Sequence, residues 1–141
     1  MIQVSNIYPE ASAEDSLVLR EEAPVHPEGR RYDLAERTAA FAEKIVAFAR
    51  KLPEDSVTRP LISQVVRSGG SVGANYCEAD DAVSKKEFRQ KIGTCRKEAK
   101  ETKYWIRIIV AAVPGVRNEA RILWQEAKEL HLIFCAILRK S

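Results

Sequence analysis

The segment Arg67 to Ala79, R-S-G-G-S-V-G-A-N-Y-C-E-A, constrains this chain most, because three glycines interrupt what otherwise reads as an amphipathic helix. A glycine inside a helix costs about 1 kcal/mol relative to alanine. Gly69, Gly70 and Gly73 therefore need a compensating gain, and a second backbone packed closely against them supplies one. A phosphate cradle is the competing use of such a tract. It is excluded by pattern: no G-K-[ST] follows the glycines, the spacing is not G-x-G-x-x-G, and no strand precedes them. Adjacent glycines also mark turns, yet the helical register runs through them from Ile62 and Val66 via Gly73 to Tyr76.

Periodicity on both sides extends the same reading. Leu34, Thr38, Phe41, Ile45, Phe48 and Leu52 share one face of a predicted helix over about 33–52, which Pro53 ends. A second helix is expected over about 58–82, with Thr58 as N-cap and Pro60 in its first turn, where a missing N–H is harmless. Its inner face reads Ile62, Val65, Val66, Gly69, Gly73 and Tyr76, followed by Asp80 or Val83. Ser84-Lys85-Lys86-Glu87 fits a capping box and opens a third helix, about 85–113, that buries Phe88, Ile92, Cys95, Ala99, Thr102, Ile106 and Ile109 before Pro114-Gly115. The fourth, about 118–139, is capped by Asn118 and turns Ala120, Leu123, Ala127, Leu130, Phe134 and Leu138 inward. Four such segments with short connections predict an all-α fold, an antiparallel up-down-up-down four-helix bundle over residues 32–141.

An N-terminal extension precedes it. Residues 1–31 hold six acids against three arginines, with Pro9, Pro24, Pro27 and Gly29 and no apolar periodicity. They read as an acidic, flexible or extended arm, and the overall charge of +3 therefore conceals a more basic bundle. No apolar run approaches the ~20 residues that span a bilayer, and the N-terminus lacks a secretory pattern, so no membrane is expected and the protein is placed in the cytoplasm. Cys77, Cys95 and Cys135 are odd in number and widely spaced, which predicts buried or half-buried free thiols.

Residues able to carry chemistry are few. The histidines are His26 in the arm and His131 in the last helix, and no Glu-x-x-His motif accompanies the acids Glu78, Asp80, Asp81, Glu87, Glu98 and Glu101. The expectation is a non-enzymatic protein with no catalytic residues, metal or cofactor. Charge placement on the third helix says more. At about 100° per residue, Lys85, Arg89, Arg96, Lys100, Lys103 and Arg107 fall on one flank, with Glu87, Glu98 and Trp105 on the other. A cationic stripe about 30 Å long could track a phosphate backbone; a solvated face with local ion pairs is the alternative. Tyr104 and Ile108 lie opposite the core of this helix, and Leu130, Ile133 and Ile137 widen the apolar arc of the fourth, which predicts an oligomer. The outer face of the second helix is polar, through Arg67, Ser71, Asn75 and Glu78, and could bond another subunit or the cationic edge.

Three runs, R-S-G-G-S-V-G-A-N-Y-C-E-A, S-K-K-E-F and R-K-E-A-K-E-T-K-Y-W, resemble the four-helix-bundle proteins encoded by intervening sequences of bacterial 23S ribosomal RNA genes, over about Tyr32 to Leu138. The resemblance implies an antiparallel bundle assembled as a homopentameric ring. The accessory protein of diversity-generating retroelements is similar, and implies binding of RNA or DNA through a basic ring surface. No established reaction comes with the family. It draws attention to Asn75, Tyr76 and Glu78 in the first motif and to Glu98, Glu101, Tyr104 and Trp105 in the second. A ring with a protein partner and no nucleic acid is the alternative function.

Overall fold

The computed structural model describes residues 33–141, so the arm expected over residues 1–31 lies outside the described residues. Among the described residues four helices form: α1 (Leu34–Arg50), α2 (Thr58–Asp80), α3 (Lys85–Ala112) and α4 (Arg117–Lys140), with a 3-10 turn at Pro114–Val116 between the last two. Local chemistry sets their ends. Asp33 caps α1 by accepting from the Glu36 N–H at 3.0 Å, and the Ser84 hydroxyl accepts from the Glu87 N–H at 3.0 Å while the Glu87 carboxylate takes the Val83 N–H at 3.2 Å. Two expected caps are replaced. Asp55, rather than Thr58, covers the start of α2, accepting the Val57 and Thr58 N–H groups at 2.8 Å each; these bonds hold its carboxyl below the ordinary range. Asn118 lies inside α4, whose start has no side-chain cap and is delivered by the 3-10 turn.

Contacts between neighbours run in opposite numerical order, which makes every adjacent pair antiparallel. Thr38 and Ile45 face Gly73 and Gly69; Ser68 and Glu78 meet Thr102 and Lys91; Arg89 and Lys103 meet Leu138 and Trp124; Arg37 and Lys51 pair with Glu126 and Glu119. The bundle is therefore up-down-up-down. Phe41, Ile45, Phe48, Val65, Val72, Ile92, Ile106, Leu130 and Phe134 fill its centre with essentially no exposure, and burial of each such side chain contributes about 1.5–3 kcal/mol. Among the described residues the core holds one polar pair, the Ser68 and Thr102 hydroxyls, 2.9 Å apart across α2 and α3; the Thr102 oxygen is also 2.7 Å from the Glu98 carbonyl, which can only accept.

The glycine tract is continuous helix. A Cβ at Gly69 would stand 3.1 Å from the Ile45 side chain, and one at Gly73 would stand 2.9 Å from the Thr38 hydroxyl, so both glycines let α1 approach α2 closely. At Gly70 a Cβ would meet open space. The buried line of α2 differs from the expected one: it runs through Val65, Ser68, Gly69, Val72, Tyr76 and Ala79. Ile62 and Gly73 are half-buried, Val66 is exposed, and Asp80 and Val83 stand in solvent. Small residues blur an apolar face, and the true stripe is centred on Val65 and Val72, rotated away from Val66.

Gly73→Val is expected to lower stability by about 1–3 kcal/mol, because the Thr38 hydroxyl is tied to the Leu34 carbonyl at 2.7 Å and cannot yield cheaply. Gly70→Ala is expected to raise stability by about 0.5–1 kcal/mol through helix propensity alone. Urea denaturation of the two variants checks both signs.

Candidate nucleic-acid interface

Helix α3 lies between α2 and α4, and its two flanks meet them with different chemistry. On the α2 side, the Arg67 guanidinium reaches Glu98 at 3.3 Å and also pairs with Glu101. Glu101 in turn accepts from the Trp105 indole N–H at 2.9 Å, and the Tyr104 ring stands edge-on to Trp105, centroids 5.0 Å apart. One turn beyond Asn75, whose amide donates to the Ser71 carbonyl, Glu78 pairs with Lys91 at 2.5 Å; that hydrogen bond and charge raise the Lys91 pKa. Tyr76 is buried against Phe134, and burial pushes its hydroxyl up to about 12. The polar outer face of α2 thus bonds Glu98 and Glu101 through Arg67 and Lys91 through Glu78, and not the six-cation stripe. Among the described residues no three or more metal-ligating side chains gather.

On the other flank the expected cations stand along the α3–α4 seam, but in two kinds. Arg89 donates to the Leu138 carbonyl at 2.9 Å and to the Ser141 hydroxyl at 2.7 Å. Lys103 lies 4.9 Å from the centre of the Trp124 ring, with Lys128 of α4 at 5.7 Å. Arg96 is half-buried, whereas Lys85, Lys100 and Arg107 are exposed. None of the six forms an ion pair among the described residues. The stripe is therefore partly built into the seam and partly free.

Every carboxylate of α3 and α4 points elsewhere. Glu87 holds the Val83 N–H, Glu98 and Glu101 hold Arg67, Glu119 holds Lys51 at 2.9 Å, and Glu126 and Glu129 hold Arg37 at 2.7 and 3.0 Å. Helix α3 carries nine lysines and arginines against three acids, and α4 five against three. Sequence reading found the α3 cations but missed Arg121 and Lys128, exposed residues on the outer side of α4. Their signal was available in helical phase: both lie far from the Leu123–Leu130 core line and from the Glu126–Glu129 edge.

On the opposite side of the bundle a line of small and apolar side chains runs between charged residues such as Glu43, Lys44 and Arg59. Ala35, Ala39, Ala42 and Val46 of α1 share a stripe beside Val66, Gly70, Ala74 and Cys77 of α2, all exposed or half-buried. The apolar surplus of α4 lies at other residues than expected: Ile122 and Leu132 are exposed, while Leu130, Ile133 and Ile137 are at most 1% exposed and belong to the monomer core. Their arc is wide because α4 packs against both α1 and α3. Tyr104 does face solvent, at 55%. Of the thiols, Cys95 is buried and Cys135 half-buried, but Cys77 is exposed, contrary to expectation, because the α1–α2 groove does not close over it.

The chain matches the model of the family described as 23S rRNA-intervening sequence protein over residues 30–136. The chain belongs to that family. A crystal structure of a protein with unknown function from the S23 ribosomal protein family of Bacteroides thetaiotaomicron VPI-5482 is similar at 27% identity and a TM-score of 0.69, covering 75% of this chain and 98% of that chain. No curated protein matches the chain. Within this 23S rRNA-intervening sequence protein, the motif residues Glu98, Glu101 and Trp105 serve the α2–α3 seam, while Tyr104 alone among them stands largely in solvent. Among the described residues no helix is long and apolar enough to cross a membrane.

Proposed function

We propose that this protein is a non-enzymatic, cytoplasmic homo-oligomer that binds nucleic acid, structured RNA foremost, along the cationic α3–α4 face, with copies associating through the α1–α2 stripe of Ala39, Val46, Val66 and Ala74. One observation carries the reading: all six carboxylates of α3 and α4 are turned to other partners, leaving Lys85, Lys100, Arg107, Arg121 and Lys128 without an ion pair among the described residues. Local ion pairing, the ordinary use of surface charge, is absent where it would be easiest to form. A phosphate backbone satisfies such a face, and closing subunits into a ring repeats it. The family resemblance supports a pentamer, and the α1–α2 stripe supplies a surface whose burial strands no charge.

Fluorescence titration of labelled structured RNA across a salt series tests the nucleic-acid part. Affinity is expected to fall steeply with salt, each neutralised phosphate contributing about 0.7–0.9 to the logarithmic slope. Lys100→Glu combined with Arg107→Glu should weaken binding at least about tenfold and flatten that slope. Absence of binding at low salt would refute it. A protein partner that survives nuclease treatment during copurification would favour instead the protein-interaction reading, for which exposed Tyr104 is the specific feature.

Assembly is tested separately by sedimentation velocity. The native mass should be a multiple of 15.9 kDa, and Ala74→Glu, which puts a charge into the uncharged stripe, should shift it to the monomer. A wild-type mass of one chain at micromolar concentration contradicts the assembly.

A further inference from the structure

His131 and Cys135 form a pair that the proposed binding face does not use. They stand one turn apart on α4, with the Cys135 sulfur 3.5 Å from His131 Nε2. The other ring nitrogen, Nδ1, lies 3.1 Å from the Arg96 backbone carbonyl across the α3–α4 seam. A carbonyl oxygen only accepts, so Nδ1 carries the proton of the neutral ring and Nε2 presents a lone pair. The Cys135 S–H is therefore the donor to Nε2. Nucleophile, base and base-orienting group are all in place, and His131 is the single histidine among the described residues.

Solvent can reach the pair. Cys135 and His131 are half-buried. The other two thiols make internal controls. Cys95 has no exposure, and burial pushes its thiol up to about 12. Cys77 is exposed but has no described histidine beside it.

We propose that Cys135 is a site of reversible oxidation, a base-assisted thiol that hydroperoxides convert to sulfenic acid. The sulfur attacks one peroxide oxygen, forming an S–O bond as the O–O bond breaks. Sulfur loses two electrons and the peroxide gains them. The thiol proton passes to His131 Nε2 and from there to the departing hydroxide, so the products are a sulfenic acid, one water from hydrogen peroxide, and neutral His131. Geometry assigns His131 both proton steps, because no other described base is hydrogen-bonded to the sulfur.

The test treats the full-length protein with hydrogen peroxide in the presence of dimedone and follows label on all three cysteines by peptide mass spectrometry. Cys135 should be trapped about tenfold or more faster than the more exposed Cys77, with Cys95 unlabelled. His131→Gln should remove that advantage while leaving the Cys77 rate unchanged and the helical circular dichroism intact. If Cys135 in the wild-type protein is trapped no faster than Cys77, the proposal fails whatever the variant does. A folded His131→Gln protein that keeps the fast Cys135 rate also overturns it.

Discussion

Helix α3 contacts α2 through one flank and α4 through the other, and its charge is divided along that line. Arg67 draws Glu98 and Glu101 to the α2 side, while Arg89 and Lys103 turn to the α4 side. The carboxylates of α4 are held in turn by Arg37 of α1 and by Lys51 at its C-terminal end. The cationic face is what this sorting leaves over. Individual exposed ion pairs contribute about 1 kcal/mol or less, so their main effect is on where charge is presented rather than on how firmly the bundle holds.

Stability comes from the core and from the close approach of α1 to α2. Gly69 and Gly73 have a packing partner each, Ile45 and Thr38, whereas Gly70 has none. The tract thus has two roles: two glycines admit a neighbouring helix, and the third belongs to the smooth outer stripe with Ala74 and Val66. A groove of small and apolar side chains above one seam and a cationic ridge above the opposite seam make the bundle two-sided, a shape suited to a subunit that self-associates on one side and presents charge on the other.

Much of the fold was legible because it rests on strong periodicity. The faces headed by Phe41, Ile92 and Phe134 are long and apolar, and Ser84 with Glu87 gives an unambiguous start for α3. The α2 face was misplaced where Gly, Ser and Ala weaken the pattern, so Val66 took a place that belongs to Ser68 and Val72. Leu130, Ile133 and Ile137 looked like surplus because the width of an apolar arc depends on how many neighbours a helix has, which no single helix reveals. For the candidate face, the α3 cations were found by phase alone. Arg67 with Glu98 and Glu101, and Cys135 with His131 and the Arg96 carbonyl, depend on which helices lie side by side, and the latter also on a backbone atom.

A lysine-acetylation footprint read by mass spectrometry, with and without structured RNA, addresses the two-sided arrangement most directly. The expected result is protection of Lys85, Lys100 and Lys128 by RNA, with Lys44 of α1 and the Glu78-paired Lys91 of α3 unchanged. Protection spread evenly over the lysines, or confined to Lys44 and Lys91, would contradict it.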